Sequence, residues 1–178
     1  VRQYSICAAI LNKCMYESGR HGLSCRRSAG RIARHHYIND LLWRASSRAG
    51  VPAVKEPAGL SRSDGKRPDG MSLIPWREGR SVLWDVTIRD TTADSYLSKT
   101  SSAAGAAAEE AAVQKESKYA DLCTDYLFCP VAIETLGPIC SAGLFLAELG
   151  RRASLLTCDP RETAFLYQRV SVAVQRFN

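Results

Sequence analysis

Alternation of apolar and polar side chains is sharpest between Ser81 and Arg89, a run rich in Val, Ile, Trp and Thr. A strand there puts Val82, Trp84, Val86 and Ile88 on one face and Leu83, Asp85 and Thr87 on the other. Pro68–Pro75 reads as a preceding strand, and Arg77-Glu78-Gly79-Arg80 as the turn of an antiparallel hairpin. A helical period takes over from Ala29, where Ile32, Ile38, Leu41, Leu42 and Ala45 share one stripe. Ser28 is placed to cap that helix, Gly50 to stop it, and Pro52 follows. Residues 51–56 then predict a short strand, residues 58–66 a polar loop and residues 90–102 a second loop. Residues 103–122 are dense in Ala, Glu, Lys and Gln and predict the strongest helix. Residues 126–134 return to strand and close at Gly137-Pro138. Residues 139–152 predict a helix ending at Gly150-Arg151-Arg152, and Asp159-Pro160 opens a last helix, with Asp159 as cap. The order is helix, three strands, helix, strand, two helices. It predicts an α/β domain with a small mixed central sheet of about four strands flanked by helices, the third and fourth strands joined by a parallel crossover.

The 178 residues suffice for one domain with a real core. No apolar run is long enough to span a bilayer. Val1–Ile10 lacks the layout of a signal peptide, so the expectation is an intracellular, non-secreted protein; the missing initiator Met reads as a fragment of something longer. Cysteine is present at seven scattered positions, an odd number. Cys123, Cys129, Cys140 and Cys158 are expected to be buried thiols in a reducing compartment. The formal charge is +6, with arginine concentrated early at Arg20, Arg26, Arg27, Arg31, Arg34, Arg44 and Arg48, and a second group at Arg62, Lys66 and Arg67. Such clusters favour phosphate backbones; the plainer alternative is a solvated face.

Two acids change this picture. Asp85 stands in the middle of an apolar strand, where a carboxylate is costly unless paired, hydrogen-bonded or metal-bound. Asp69 follows Pro68 and enters the preceding strand from an extended segment. A hairpin between them would set the two carboxylates side by side. Adjacent carboxylates repel, and a divalent cation such as Mg²⁺ (or Mn²⁺) removes the conflict while activating water and stabilising a cut phosphate. A nearby lysine would assist, and Lys115 and Lys118 lie one turn apart on one helix face. Glu56 is placed either as a third oxygen ligand or as an edge charge. Other readings remain open: Asp69 as a turn cap, Asp85 paired with an arginine such as Arg80, and both lysines solvated.

Cys14, His21 and Cys25 have a spacing reminiscent of a zinc site, with Cys7, His35 or His36 as the fourth ligand. The alternative is thiols on a frayed end.

Taken in order, Gly65-Lys66-Arg67-Pro68-Asp69, Trp84-Asp85-Val86-Thr87 and Lys115-Glu116-Ser117-Lys118-Tyr119 resemble the endonuclease domain that follows the reverse transcriptase in R2-like non-LTR retrotransposons. That domain has a restriction-endonuclease-like fold of the PD-(D/E)xK type. His21-Gly22-Leu23-Ser24-Cys25, Arg34-His35 with Asn39-Asp40, and Glu134-Thr135-Leu136-Gly137 extend the resemblance over most of the chain. It implies that Asp69 is the acid of the PD half-motif and Asp85 that of (D/E)xK. Thr87 stands where the motif lysine would be, a departure that leaves Lys115 or Lys118, on the next helix, to replace it. Asn39 and Asp40 occupy the first helix, where this fold often adds a polar or acidic group to the metal. The resemblance also favours zinc in residues 1–28, because R2-like elements carry a CCHC knuckle there. Cys7 and Cys14 are too far apart for the expected close pair, so the knuckle would be degenerate, with residues 29–178 forming the endonuclease-like domain. The implied activity is Mg²⁺-dependent nicking of target DNA in the nucleus for target-primed reverse transcription. Arg26, Arg27, Arg31, Arg34, Lys66 and Arg67 would grip the DNA, and the element's own RNA is a further expected partner. The competing expectations are a catalytically inactive nucleic-acid-binding remnant and a plain scaffold.

Overall fold

In the computed structural model, which describes residues 23, 29–60, 65–141 and 143–178, the first long element is helix α1 (Ala29–Arg48). Its C-terminus closes as expected at Gly50, which adopts φ +68° while Gly50 N–H and Val51 N–H donate to the Ser47 and Ser46 carbonyls. Three strands follow: β1 (Ala53–Lys55), β2 (Gly70–Ser72) and β3 (Val82–Arg89). Helices α2 (Asp94–Thr100) and α3 (Ala106–Lys118) then lead through a 3₁₀ turn (Ala120–Thr124) to β4 (Leu127–Glu134). Helices α4 (Gly143–Thr157) and α5 (Glu162–Arg176) complete the described chain. The sheet order is β1-β2-β3-β4. The first three strands form an antiparallel meander, and β4 returns parallel to β3 with Asp85 opposite Pro130. The mixed four-strand sheet and its helical flanks are those the residue pattern predicts.

Each face of the sheet has its own packing. Val82, Trp84 and Val86 of β3 and Val131 and Ile133 of β4 pack with Ile38 and Leu42 of α1, Phe145 and Leu149 of α4 and Leu166 and Val170 of α5. On the other face Ala108, Ala111 and Ala112 of α3 meet Ala132 and Cys140. The alanines of α3 thus serve close approach as well as helix propensity. Pro130 is tolerated because β4 is the edge strand, where a missing N–H breaks no ladder bond.

Several expectations need correction. The segment 90–102 contains α2, a helix with no buried residue, so no apolar stripe announces it. The expected strand at 68–75 is confined to Gly70–Ser72: Leu73 N–H turns to the Pro52 carbonyl, and Ser72 Oγ accepts from Val82 N–H at 3.0 Å. Gly150 does not stop α4. A Cβ there would sit 2.4 Å from Thr163 Cα, so this glycine permits α4 and α5 to touch, and the helix runs on to Thr157. Asp159 starts the turn before α5, accepting Arg161 N–H at 2.9 Å, and the cap position itself falls on Arg161. Cys123 and Cys158 are exposed and Cys129 is half-buried; of these four thiols Cys140 alone is fully buried. Among the described residues no helix is long and apolar enough to cross a membrane.

Candidate functional site

The register of the hairpin decides where the two acids lie. The β2–β3 ladder ends with Gly70 facing Trp84 and Met71 facing Leu83, so Asp69 lies just before the first paired residue of β2. Asp69 N–H donates to the Trp84 carbonyl at 3.0 Å, and Asp69 Oδ2 accepts Val86 N–H at 2.6 Å. Asp69 is thereby held against β3, close enough to Asp85 for its negative charge to act on that carboxyl.

Glycine at position 70 is required for this arrangement. A Cβ there would lie 2.0 Å from Cζ2 of Trp84. The indole crosses β2 at that gap and donates Nε1–H to Asn39 Oδ1 at 2.8 Å. Asn39 in turn donates Nδ2–H to the Asp69 carbonyl at 3.1 Å. Asn39 is thus a buried brace between α1 and the acidic hairpin rather than part of a ligand set. Asp40 points elsewhere, pairing with Arg44 and Lys55.

Asp85 is buried, and its two oxygens have different partners. Oδ2 forms an ion pair with Lys115 Nζ of α3. Oδ1 lies 3.0 Å from Tyr119 Oη, which is also 3.0 Å from the Arg67 carbonyl, so two acceptors compete for one hydroxyl proton. Lys118 Nζ donates to the same Tyr119 Oη at 2.7 Å. Lys115 therefore reaches Asp85 directly and Lys118 reaches it through the tyrosine. Arg80, the alternative partner for Asp85, pairs with Glu78 instead. Burial, reinforced by the negative charge of Asp69, pushes the Asp85 carboxyl above the ordinary carboxylate range, with Lys115 and Tyr119 opposing.

His35 of α1 completes the group. Its Nε2 lies 3.0 Å from Asp69 Oδ2. That hydrogen bond raises the imidazole pKa; burial opposes it, and the charges of Asp69 and Asp85 add to the rise. His35, named above among the candidates for a fourth zinc ligand, has its Nε2 engaged with Asp69. Cys7, Cys14, His21 and Cys25 lie outside the described residues, as do Arg20, Arg26, Arg27 and Arg62. Glu56, weighed as a third metal ligand, is exposed and turned onto Arg67.

Beside this group opens a cleft of about 440 Å³. It is lined by Arg31, Ile32 and His35 from α1, by residues 86–89 of β3, Thr87 among them, and by Lys115 from α3. It forms where the short β2 ends and leaves the second half of β3 uncovered on that side. Arg31 is exposed at its rim, as a phosphate-gripping residue should be. Arg34 is not: it is 1% exposed and donates to Asn178 Oδ1 and the Leu23 carbonyl, so it is an interior brace. Arg48 is likewise committed to the buried Glu162. Lys66 and Arg67 are exposed.

The residue pattern did not reveal the Asp69–His35 link, the Tyr119 bridge or the place of Arg89. Tyr119 carries a faint signal, an aromatic directly after the candidate lysine. Glu134 is also buried, its Oε1 accepting Ala107 N–H at 2.9 Å at the start of α3 and fixing the helix that carries both lysines.

Among the described residues no group of three or more His, Cys, Asp or Glu side chains is placed to hold a metal ion. A cation here would rest on two carboxylates and take its other ligands from water or phosphate oxygens. Mg²⁺ binds in that way, whereas structural Zn²⁺ does not. Neither a protein-family model nor a curated protein matches the chain.

Proposed function

We propose that this chain is a metal-dependent DNA endonuclease domain, with Asp69 and Asp85 as the residues that hold Mg²⁺ or Mn²⁺. The observation that carries the reading is the buried Asp85, close to Asp69 and paired with Lys115 beside a cleft whose charged lining side chains are all basic. When bound, the cation supplies charge that acidifies water and stabilises the cut phosphate. The protein's own residues account for the remaining requirements. Lys115, and Lys118 through Tyr119, place ammonium charge beside the acids where negative charge develops on the phosphoryl group. His35 and Val86 N–H fix Asp69 in one rotamer. Arg31 offers a contact to the backbone of the strand being cut.

Thr87 at the motif-lysine position is consistent with this division of labour, since the ammonium comes from α3 instead. The resemblance supports the finer reading: nicking of a target site in the nucleus for target-primed reverse transcription, with DNA and element RNA as partners. One observation favours the inactive nucleic-acid-binding remnant as the second reading. The Asp85–Lys115 pair is already charge-balanced within the protein and needs no cation to stand.

Supercoiled-plasmid nicking separates the two. The nuclease reading predicts relaxed circles in Mg²⁺, none in EDTA, and none from Asp69→Ala or Asp85→Ala. Salt-sensitive DNA binding with no nicking under any divalent cation supports the remnant, and neither activity overturns both.

A further inference from the structure

Arg89 had no role in the motif, yet the cleft gives it one. Asp85, Thr87 and Arg89 alternate along β3 and so share a face. At about 3.3 Å per residue, Arg89 lies about 13 Å along the strand from Asp85. Its position is held from several sides. Nη2–H donates to Gln114 of α3 at 2.7 Å, and the guanidinium sits 5.7 Å from the centre of the Tyr96 ring of α2. Its backbone carbonyl accepts Thr135 N–H at 2.8 Å. Its Nε is buried without a hydrogen-bond acceptor among the described residues. No carboxylate is paired with Arg89 there, although Arg44, Arg48, Arg67, Arg80, Arg151, Arg152 and Arg161 all have one. It lines the cleft with Arg31 opposite, on α1, and no acidic side chain among the lining residues.

A guanidinium held through Nη2 by an amide, seated near an aromatic ring and without a carboxylate partner among the described residues, keeps its remaining Nη donors for a phosphodiester oxygen. Coulomb attraction from Arg31 adds to this. We propose that Arg89, facing Arg31, is a second phosphate-recognition position, taking a backbone phosphate of the DNA strand a few nucleotides from the one at Asp69 and Asp85. This position gives the strand a direction: it runs along the open half of β3, between α1 and α3. The inference rests on the endonuclease reading above and adds the path of the substrate to it.

The test uses the full chain, DNA duplexes carrying a single neutral methylphosphonate stepped through the flanking positions, and the variants Arg89→Gln and Arg89→Lys. Circular dichroism confirms that each variant folds. Wild-type protein is expected to lose affinity at one flanking position displaced from the cleavage site. Arg89→Gln is expected to bind unmodified DNA about tenfold more weakly, to lower the slope of log K against log[salt] by about 0.9, and to become indifferent to the methylphosphonate at that one position. Arg89→Lys is expected to keep the salt slope and lose part of the affinity. If wild-type protein binds and nicks DNA while Arg89→Gln matches it in affinity, slope and methylphosphonate profile, the second position is wrong and the nuclease stands. If wild-type protein neither binds nor nicks, the reading beneath it fails as well.

Discussion

Lys115→Met is the most informative single perturbation of the acidic site. It leaves Asp85, 4% exposed at its side chain, without its cation and with Tyr119 Oη as its remaining donor. Removing one partner of a buried ion pair costs about 3–5 kcal/mol. Lys115 is 24% exposed, so water takes part in the pair, and the lower end, about 3 kcal/mol, is expected. That is a substantial part of the roughly 5–15 kcal/mol that holds a domain folded. The loss carries a pH signature. Burial and Asp69 already raise the Asp85 carboxyl above its ordinary value of 3.8, so the folded state binds this proton more readily than the unfolded chain does. Such an acid opposes folding increasingly as pH climbs from the unfolded value through the folded one, and ceases to oppose it below both. Without Lys115 the rise is larger. The deficit of Lys115→Met should therefore be full at mildly alkaline pH and shrink on acidification. Urea denaturation at the two pH values measures it, and adding Asp85→Asn to the variant should recover most of the loss. A deficit equal at both pH values, or one that Asp85→Asn leaves untouched, would refute the electrostatic account of this pair.

Gly70→Ala should cost about 1–3 kcal/mol, because the new methyl meets the Trp84 indole and breaks its bond to Asn39; denaturation followed by tryptophan emission reports both effects. His35 is raised by its bond to Asp69, so the stabilisation it adds is present in full below its ordinary value of 6.5 and is lost as pH rises through the folded value. The stability gap between wild type and His35→Gln should close over that window, and an NMR titration should place the His35 midpoint above 6.5. Mg²⁺ at about ten times its dissociation constant should stabilise the wild type by about 1.4 kcal/mol and leave Asp69→Ala unmoved in thermal melts.

The parts of this fold legible in the sequence are those with a strong local pattern. The alternation of residues 82–89 gave β3 and its two faces, the stripe in residues 29–48 gave α1, and the Ala-rich run gave α3. Helix α2 escaped because it buries nothing, and α4 outran Gly150 because that glycine serves a helix contact visible in three dimensions alone. For the site, the sequence supplied both acids and both lysines but not their connections. The Val86 N–H bond that holds Asp69 near Asp85 follows from the hairpin, and the Tyr119 and His35 bonds follow from how α3 and α1 cross the sheet. Arg34 and Arg31 are three residues apart on α1, and composition alone could not tell that the first points inward and the second lies at the cleft.

Plasmid nicking by Asp85→Asn tests the central claim most directly, since this change keeps the shape of the buried side chain and removes its charge. The account predicts a protein that folds as the wild type does, retains salt-sensitive DNA binding and no longer produces relaxed circles in Mg²⁺. Undiminished Mg²⁺-dependent nicking by the folded variant would contradict it.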